Sequence, residues 1–244
     1  MSGHSKWAKI HRKKGVADAK RGAIFTRFGN LITIAAKSGG SDLDSNFQLR
    51  LVVEKAKAVN MPKDNIEKAI KRGTGEGGDN NNIEEATYEF FGSKGVVFIV
   101  EAITDNKNRT VSDLKTTLSK NGANLGEPNS VLWMFDKCGI ILIDKEETLK
   151  HDEDELELNL IEAGAQDIIK DDNGWEIRTA PTELQATENK MKEFEITTKE
   201  SSLSYIAKDE LKIEKPEDQE KVGRVFAALE EIDDVSEVYT NATW

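Results

Sequence analysis

From residue 16 onward the apolar positions fall into repeating stripes. Ile24, Phe28, Leu31 and Ala35 recur at spacings of four, three and four, with Phe25 and Ile32 widening the stripe, and this predicts a helix over 16–37. Gly39-Gly40 ends it, since a C-terminal glycine adopts the left-handed turn at no steric cost. Asp44 or Ser45 is placed to cap a second helix whose inner face is Leu49, Val52, Val53, Ala56 and Val59. After the turn Asn60-Met61-Pro62, a third helix runs to Arg72, with Asp64 and Glu67 spaced as a capping box and Ile66, Ala69 and Ile70 facing inward. Three short amphipathic helices with brief connections make a small bundle. Residues 1–15 carry no apolar periodicity beyond Trp7 and Ile10 and read as an arm.

Past the bundle the period changes. The run GTGEGGDNNN at 73–82 is linker-like, and the linker proper is set at 76–83. Gly73-x-Gly75-x-x-Gly78 matches a dinucleotide fingerprint only formally. It follows a helix and opens a polar run, whereas the motif needs a strand before it and a helix after. Thr87–Phe91 and Val96–Ile103 alternate as strands across Gly92-Ser93-Lys94-Gly95, a hairpin signal. Helical periodicity follows over 108–120, a strand over 131–135 and an apolar run over 139–143. Then come a helix over 154–163, strands over 167–169 and 175–179, a helix over 182–194 and a strand within 196–206. A helix over 215–232 and a strand over 235–240 close the chain. Residues 139–206 thus read β-α-β-β-α-β, the ferredoxin-like order. The expected fold class is α+β: a helical bundle at 1–75, then two ferredoxin-like modules, one inserted in the other. The split module takes 84–136 with 209–244, and the acidic insert takes 137–208.

Charge changes the picture more than composition does. The 244 residues carry a formal net charge of −11. Residues 1–75, however, hold 16 Lys/Arg against 6 Asp/Glu, and the remainder 18 against 39. Residues 137–208 alone hold 9 against 18. Screening confines charge interactions to about 10 Å, so the local balance governs binding. The candidate contact cations of the first domain are Lys6, Lys9, Arg12, Lys13, Lys14, Lys20, Arg21 and Arg27, then Arg50, Lys57, Lys63, Lys68, Lys71 and Arg72 off the apolar stripes. Such residues either solvate a helix face or hold a polyanion. A merely soluble surface mixes both signs, so the asymmetry favours nucleic acid. A helix, a turn and a short basic helix outline a helix-turn-helix, and Trp7 is the arm's candidate for stacking on a base.

No catalytic constellation is present. His4, His11, His151 and the lone Cys138 do not fall at metal-ligand spacing, and no nucleophile, zinc-protease or kinase motif occurs. The expectation is a protein without enzymatic activity, metal or cofactor. The acidic run Asp152-Glu153-Asp154-Glu155 reads as a helix start. Asp105, Asn106, Asn108 and Arg109 form the densest polar cluster of the body, where a strand gives way to a helix. Arg109, oriented by Asp105, suits a phosphate or carboxylate; equally, Asn106 or Asn108 caps the helix. A single cysteine fits a reducing compartment, and no run of apolar residues is long enough for a membrane span. The cytoplasm is therefore the expected location.

Several of these stretches also carry a family likeness. Gly3-His4-Ser5-Lys6-Trp7-Ala8, Asp18-Ala19-Lys20-Arg21-Gly22 and Asn60-Met61-Pro62-Lys63-Asp64-Asn65-Ile66 resemble the YebC/PmpR family. So do Thr104-Asp105-Asn106-x-Asn108-Arg109-Thr110 and Val131-x-Trp133-Met134-Phe135. The resemblance spans essentially the whole chain. It implies a helical N-terminal domain and two α+β domains, one inserted in the other, with no catalysis and no cofactor. It also implies a cytoplasmic DNA-binding transcriptional regulator. The alternative is a ribosome-associated translation factor that binds ribosomal or messenger RNA through the same surface, its acidic modules facing proteins or the ribosome. The family's usual lysine and Arg-Glu pair after Thr26 are replaced here by Arg27-Phe28-Gly29-Asn30, which removes one candidate phosphate contact.

Overall fold

The apolar stripes fold into three helices, α1 (Asp18–Gly39), α2 (Phe47–Ala58) and α3 (Lys63–Gly73). The computed structural model describes residues 18–76 and 83–244, so the arm, with Lys6, Trp7, Lys9, Arg12, Lys13 and Lys14, lies outside the described residues. On α1 the buried apolar side chains are Ile32, Ala35 and Ala36, beside buried Thr33, with Phe25 and Phe28 packed against them. Of the predicted stripe, Phe25, Phe28, Ile32 and Ala35 belong to the core, whereas Ile24 and Leu31 are only partly buried and Ala36 joins instead. The side that α3 covers explains the shift. A Cβ at Gly73 would stand 2.4 Å from the Thr33 carbonyl oxygen and 2.7 Å from the Ala36 Cβ, an approach that only glycine permits. Thr33 Oγ1 seals the crossing, 2.7 Å from Gly29 O and 3.1 Å from Ala69 O. Leu49, Val53, Ala56, Met61, Ile66 and Ala69 complete the bundle's core.

Neither Asp44 nor Ser45 caps α2. Asn46 does, its Oδ1 accepting from the Leu49 N–H at 3.0 Å. Its amide group also donates to Ala35 O and Gly40 O, both at 2.8 Å. One buried side chain therefore joins the end of α1 to the start of α2, which exposed Asp44 and Ser45 are not placed to do. The expected capping box of α3 is also not formed: Pro62 precedes the helix without a side-chain bond, and Glu67 pairs with Lys63 at 3.5 Å instead.

The remaining elements are β1 (Glu84–Phe91), β2 (Val97–Thr104), α4 (Lys107–Asn121), β3 (Asn124–Leu125) and β4 (Phe135–Asp144). After them come α5 (Lys145–Thr148), α6 (Glu153–Ala163), β5 (Asp167–Asp171), β6 (Gly174–Thr179), α7 (Leu184–Glu193) and β7 (Glu200–Ala207). Then β8 (Leu211–Lys212), α8 (Pro216–Glu230), β9 (Val235–Thr240) and β10 (Ala242–Thr243) end the chain. The fold is α+β, as the sequence predicts.

Phe135–Lys208 form one unit. Its antiparallel sheet has the order β5-β6-β4-β7, which is the ferredoxin-like arrangement. Ile141 pairs with Ile177 across the central strands, and α6 packs against α7 through buried Leu156, Leu160, Leu184 and Met191. Gly139 lets α7 sit close to the sheet, since a Cβ there would meet Leu184 at 2.9 Å and Thr179 Oγ1 at 2.3 Å.

Asp209–Trp244 return to the unit that holds residues 18–134. Here the sheet order is β3-β1-β2-β9, all antiparallel, with helices α4 and α8 packed on each other. The plan of four strands and two helices is shared with the insert. The connection differs: a hairpin joins the two central strands, and β9 reaches the sheet only after the insert. Phe90, Phe98, Val100, Leu114, Leu118 and Leu229 are buried in this unit.

One predicted strand is missing. Residues 132–134 form a short 3-10 turn, and β4 starts at Phe135. The reason lies in Glu89. Its buried carboxylate takes the N–H groups of Asn129, Val131 and Leu132, leaving those donors unavailable to a ladder. Among the described residues no helix is long and apolar enough to cross a membrane.

Candidate nucleic-acid interface

Packing of the bundle core decides which cations face water. On α3, Ile66 and Ala69 turn inward, so Lys63, Lys68 and Lys71 are left exposed, and Lys57 is exposed in the last turn of α2. Lys63 has an i,i+4 partner in Glu67. Lys57, Lys68 and Lys71 have no ion-pair partner among the described residues. Lys20 and Arg21 lie at the start of α1.

Three of the predicted contact residues are engaged elsewhere. Arg72 reaches back across the bundle to Thr33 Oγ1 (Nε at 3.0 Å, Nη2 at 2.8 Å), Asn30 Oδ1 at 2.9 Å and Gly29 O at 3.2 Å. It clamps α3 onto α1 rather than offering its charge to solvent. Arg27 donates to the backbone carbonyl of Ser236 in β9 and lies 3.9 Å from Glu237. Arg50 bonds Leu43 O at 3.3 Å and stacks over the Phe47 ring at 5.1 Å. A helical wheel puts these three on polar faces, and only the neighbouring elements show that their guanidinium groups are used internally.

The second predicted cluster resolves into a junction. Asn106 caps α4, its Oδ1 accepting from the Arg109 N–H at 3.1 Å. Arg109 does meet Asp105, at 3.0 Å, but the carboxylate it clamps is the chain's own Asp234, with Nη2 at 2.9 and 3.1 Å from the two oxygens. Asp234 also lies 2.6 Å from Thr110 Oγ1 and 3.2 Å from Thr104 Oγ1. Asp234 first, and then Asp105, hold the Arg109 guanidinium charged even above its ordinary range. Beside it, Lys107 pairs with Glu84 at 2.7 Å, each holding the other in its charged form. Asn108 is exposed on the first turn. Asp234 was not a sequence candidate. It follows Asp233 in an acidic stretch before the last strand, and nothing in that stretch points to α4.

Among the described residues no three His, Cys, Asp or Glu side chains gather in a way that suits a metal ion. Cys138 is buried, and that burial pushes its thiol up to about 11, far from the reactive thiolate range.

Comparisons with known proteins agree along the whole length. Residues 5–76 match the family model described as the TACO1/YebC protein N-terminal domain, and residues 83–242 match the TACO1/YebC second and third domain. A probable transcriptional regulatory protein of Desulforamulus reducens is 43% identical over 241 residues, covering 99% of this chain and 98% of the relative. One from Thermoanaerobacter pseudethanolicus is 46% identical, covering 99% and 96%. The crystal structure of a conserved hypothetical protein from Aquifex aeolicus superposes with a TM-score of 0.83 at 34% identity, covering 98% of this chain and 96% of that one. The resemblance read from the motifs is thereby borne out.

Proposed function

This chain belongs to the TACO1/YebC family, and on that premise we propose that it is a non-enzymatic, cytoplasmic regulator of transcription that binds DNA through its basic N-terminal domain. The names of its relatives support regulation. The observation that carries the binding reading is one of charge. Lys57, Lys68 and Lys71 stand exposed and unpaired among the described residues, on a domain of 16 cations against 6 acids. Five more of those cations, Lys6, Lys9, Arg12, Lys13 and Lys14, lie in residues 1–17, which contain no acid. Neutralising phosphates releases condensed counterions, and this is the main source of affinity for a surface without base-reading contacts. The body, with 39 acids against 18 cations, repels a phosphate chain and confines it to the head.

The test is charge reversal. With Lys13, Lys14 and Arg21 changed to glutamate in the full chain, duplex DNA binding falls regardless of sequence, and the slope of log K against log salt becomes shallower by about three. Unchanged affinity and slope would remove the head as the binding surface. Crosslinking in cells with sequencing of both nucleic acids separates the target classes: promoter DNA supports the regulator, and ribosomal or messenger RNA overturns it in favour of a translation factor.

A further inference from the structure

Trp133 is 66% exposed, although a large aromatic side chain gains by burial. The chain does not let it fold away. Glu89, on β1 and 5% exposed, receives the backbone N–H groups of Asn129, Val131 and Leu132 at 2.5, 2.6 and 2.7 Å. A buried carboxylate is tolerated only when its lone pairs are filled, so this triple contact fixes the loop over 126–134 in one shape. Within the loop, Trp133 Nε1 donates to Ser130 O at 2.9 Å. The indole's polar group is thereby used, and the ring itself is what solvent meets.

A second aromatic continues the surface. Phe91, two residues beyond Glu89 on the same face of β1, is 43% exposed. Its ring edge and Ser130 Oγ flank Gly126, at 2.9 and 2.4 Å from where a Cβ would stand. Phe91 and Ser130 thus both adjoin Gly126, and Trp133 is hydrogen-bonded to the same Ser130. A rigid exposed aromatic suits either a nucleobase or a protein side chain, and the local charge chooses between them. Stacking platforms for single strands work beside cations that hold the phosphates. Residues 124–134 contain no lysine or arginine, and their one charged residue is exposed Glu127.

We propose that the Phe91–Trp133 surface docks a protein segment, which lays an apolar side chain against the indole and sets a lysine or arginine beside Glu127. A preorganised tryptophan at the centre of a small contact is the usual seat of interface energy, and a fixed loop avoids the entropy of ordering it on binding. The site draws on no residue of the basic head, and its oligonucleotide control rests on the head reading given above.

The experiment uses the full chain and two short labelled synthetic peptides with identical lysines, one carrying leucines and the other serines at the same positions. A single-stranded oligonucleotide is the third probe. The leucine peptide binds about tenfold more tightly than the serine peptide, the scale of one anchored side chain. Trp133→Ala removes that preference, Trp133→Phe keeps most of it, and Glu127→Lys weakens both peptides. Oligonucleotide affinity stays within about twofold in all three variants, because the phosphate term resides elsewhere. A leucine preference that survives Trp133→Ala overturns the proposal. So does an oligonucleotide affinity that drops with the indole, which would make the surface a base-stacking platform. Self-association of the wild type that Trp133→Ala abolishes would also overturn it, in favour of a contact between copies.

Discussion

Arg109 and Asp234 are 125 positions apart in sequence, yet Nη2 of one lies 2.9 and 3.1 Å from the two carboxylate oxygens of the other. The bond crosses the point where the chain is interrupted by the insert. It ties α4, before the interruption, to the turn that starts β9, after it. Thr104 and Thr110 direct their hydroxyls to the same carboxylate, so four side chains join the two pieces of the split unit.

Asp234 is the less exposed partner of that pair, at 14% against 49% for Arg109. Asp234→Ala is expected to destabilise the fold by about 1–3 kcal/mol, because two hydroxyls and a guanidinium lose their shared, mostly buried acceptor. Arg109→Ala, at a half-exposed position where solvent screens the pair, is expected to cost clearly less than Asp234→Ala. Urea denaturation followed by circular dichroism checks both, and equal costs would contradict the geometry.

Lys71 and Arg72 are neighbours with opposite assignments. Arg72→Ala opens the α1–α3 crossing and lowers stability by about 1–2 kcal/mol. Lys71→Ala leaves stability within about 0.5 kcal/mol. On the function proposed above, it instead reduces the salt slope of nucleic-acid binding by about one. Thermal melts and a salt titration on the two variants give the comparison.

Glu89→Ala should free the loop that carries Trp133. Three N–H groups lose a charged acceptor, and the expected cost is about 2–3 kcal/mol. Loss of near-ultraviolet ellipticity and faster amide exchange over 129–132, with the rest of the sheet still protected, would report local release.

Acid exposes a different site. Lys150, the Thr197 N–H and His151 hold Glu147 well below its ordinary value of 4.5, at about 2. A carboxylate depressed in the folded state contributes stability above its unfolded pKa and loses it as pH falls through the folded one. The Glu147 contribution is therefore complete above about pH 4.5 and gone below about pH 2. Glu147→Gln flattens the stability–pH curve in that window and leaves the curve's shape unchanged above it, which an acid titration of the melting temperature measures.

Periodicity was enough to find the helices of the bundle, the hairpin from β1 to β2, and the ferredoxin-like order of the insert. Each of these follows from apolar residues close together in the chain, where spacing alone says which face is buried. The charge imbalance between the first 75 residues and the rest is likewise a property of composition, which folding cannot change. The short strands β3, β8 and β10, at two residues each, have no period to detect.

What the sequence determined by itself was the α+β class, the position of the helices and the location of the positive charge. Tertiary structure decided how that charge is used. Arg27, Arg50 and Arg72 look like Lys57, Lys68 and Lys71 on a wheel, but a guanidinium finds its carbonyls on whatever element packs beside it. The same holds for Asp234 under Arg109, and for Glu89, which reads as an ordinary strand residue until the loop over 126–134 closes on it. Local pattern records which face of a segment is apolar; which polar groups are satisfied depends on partners brought together from far along the chain.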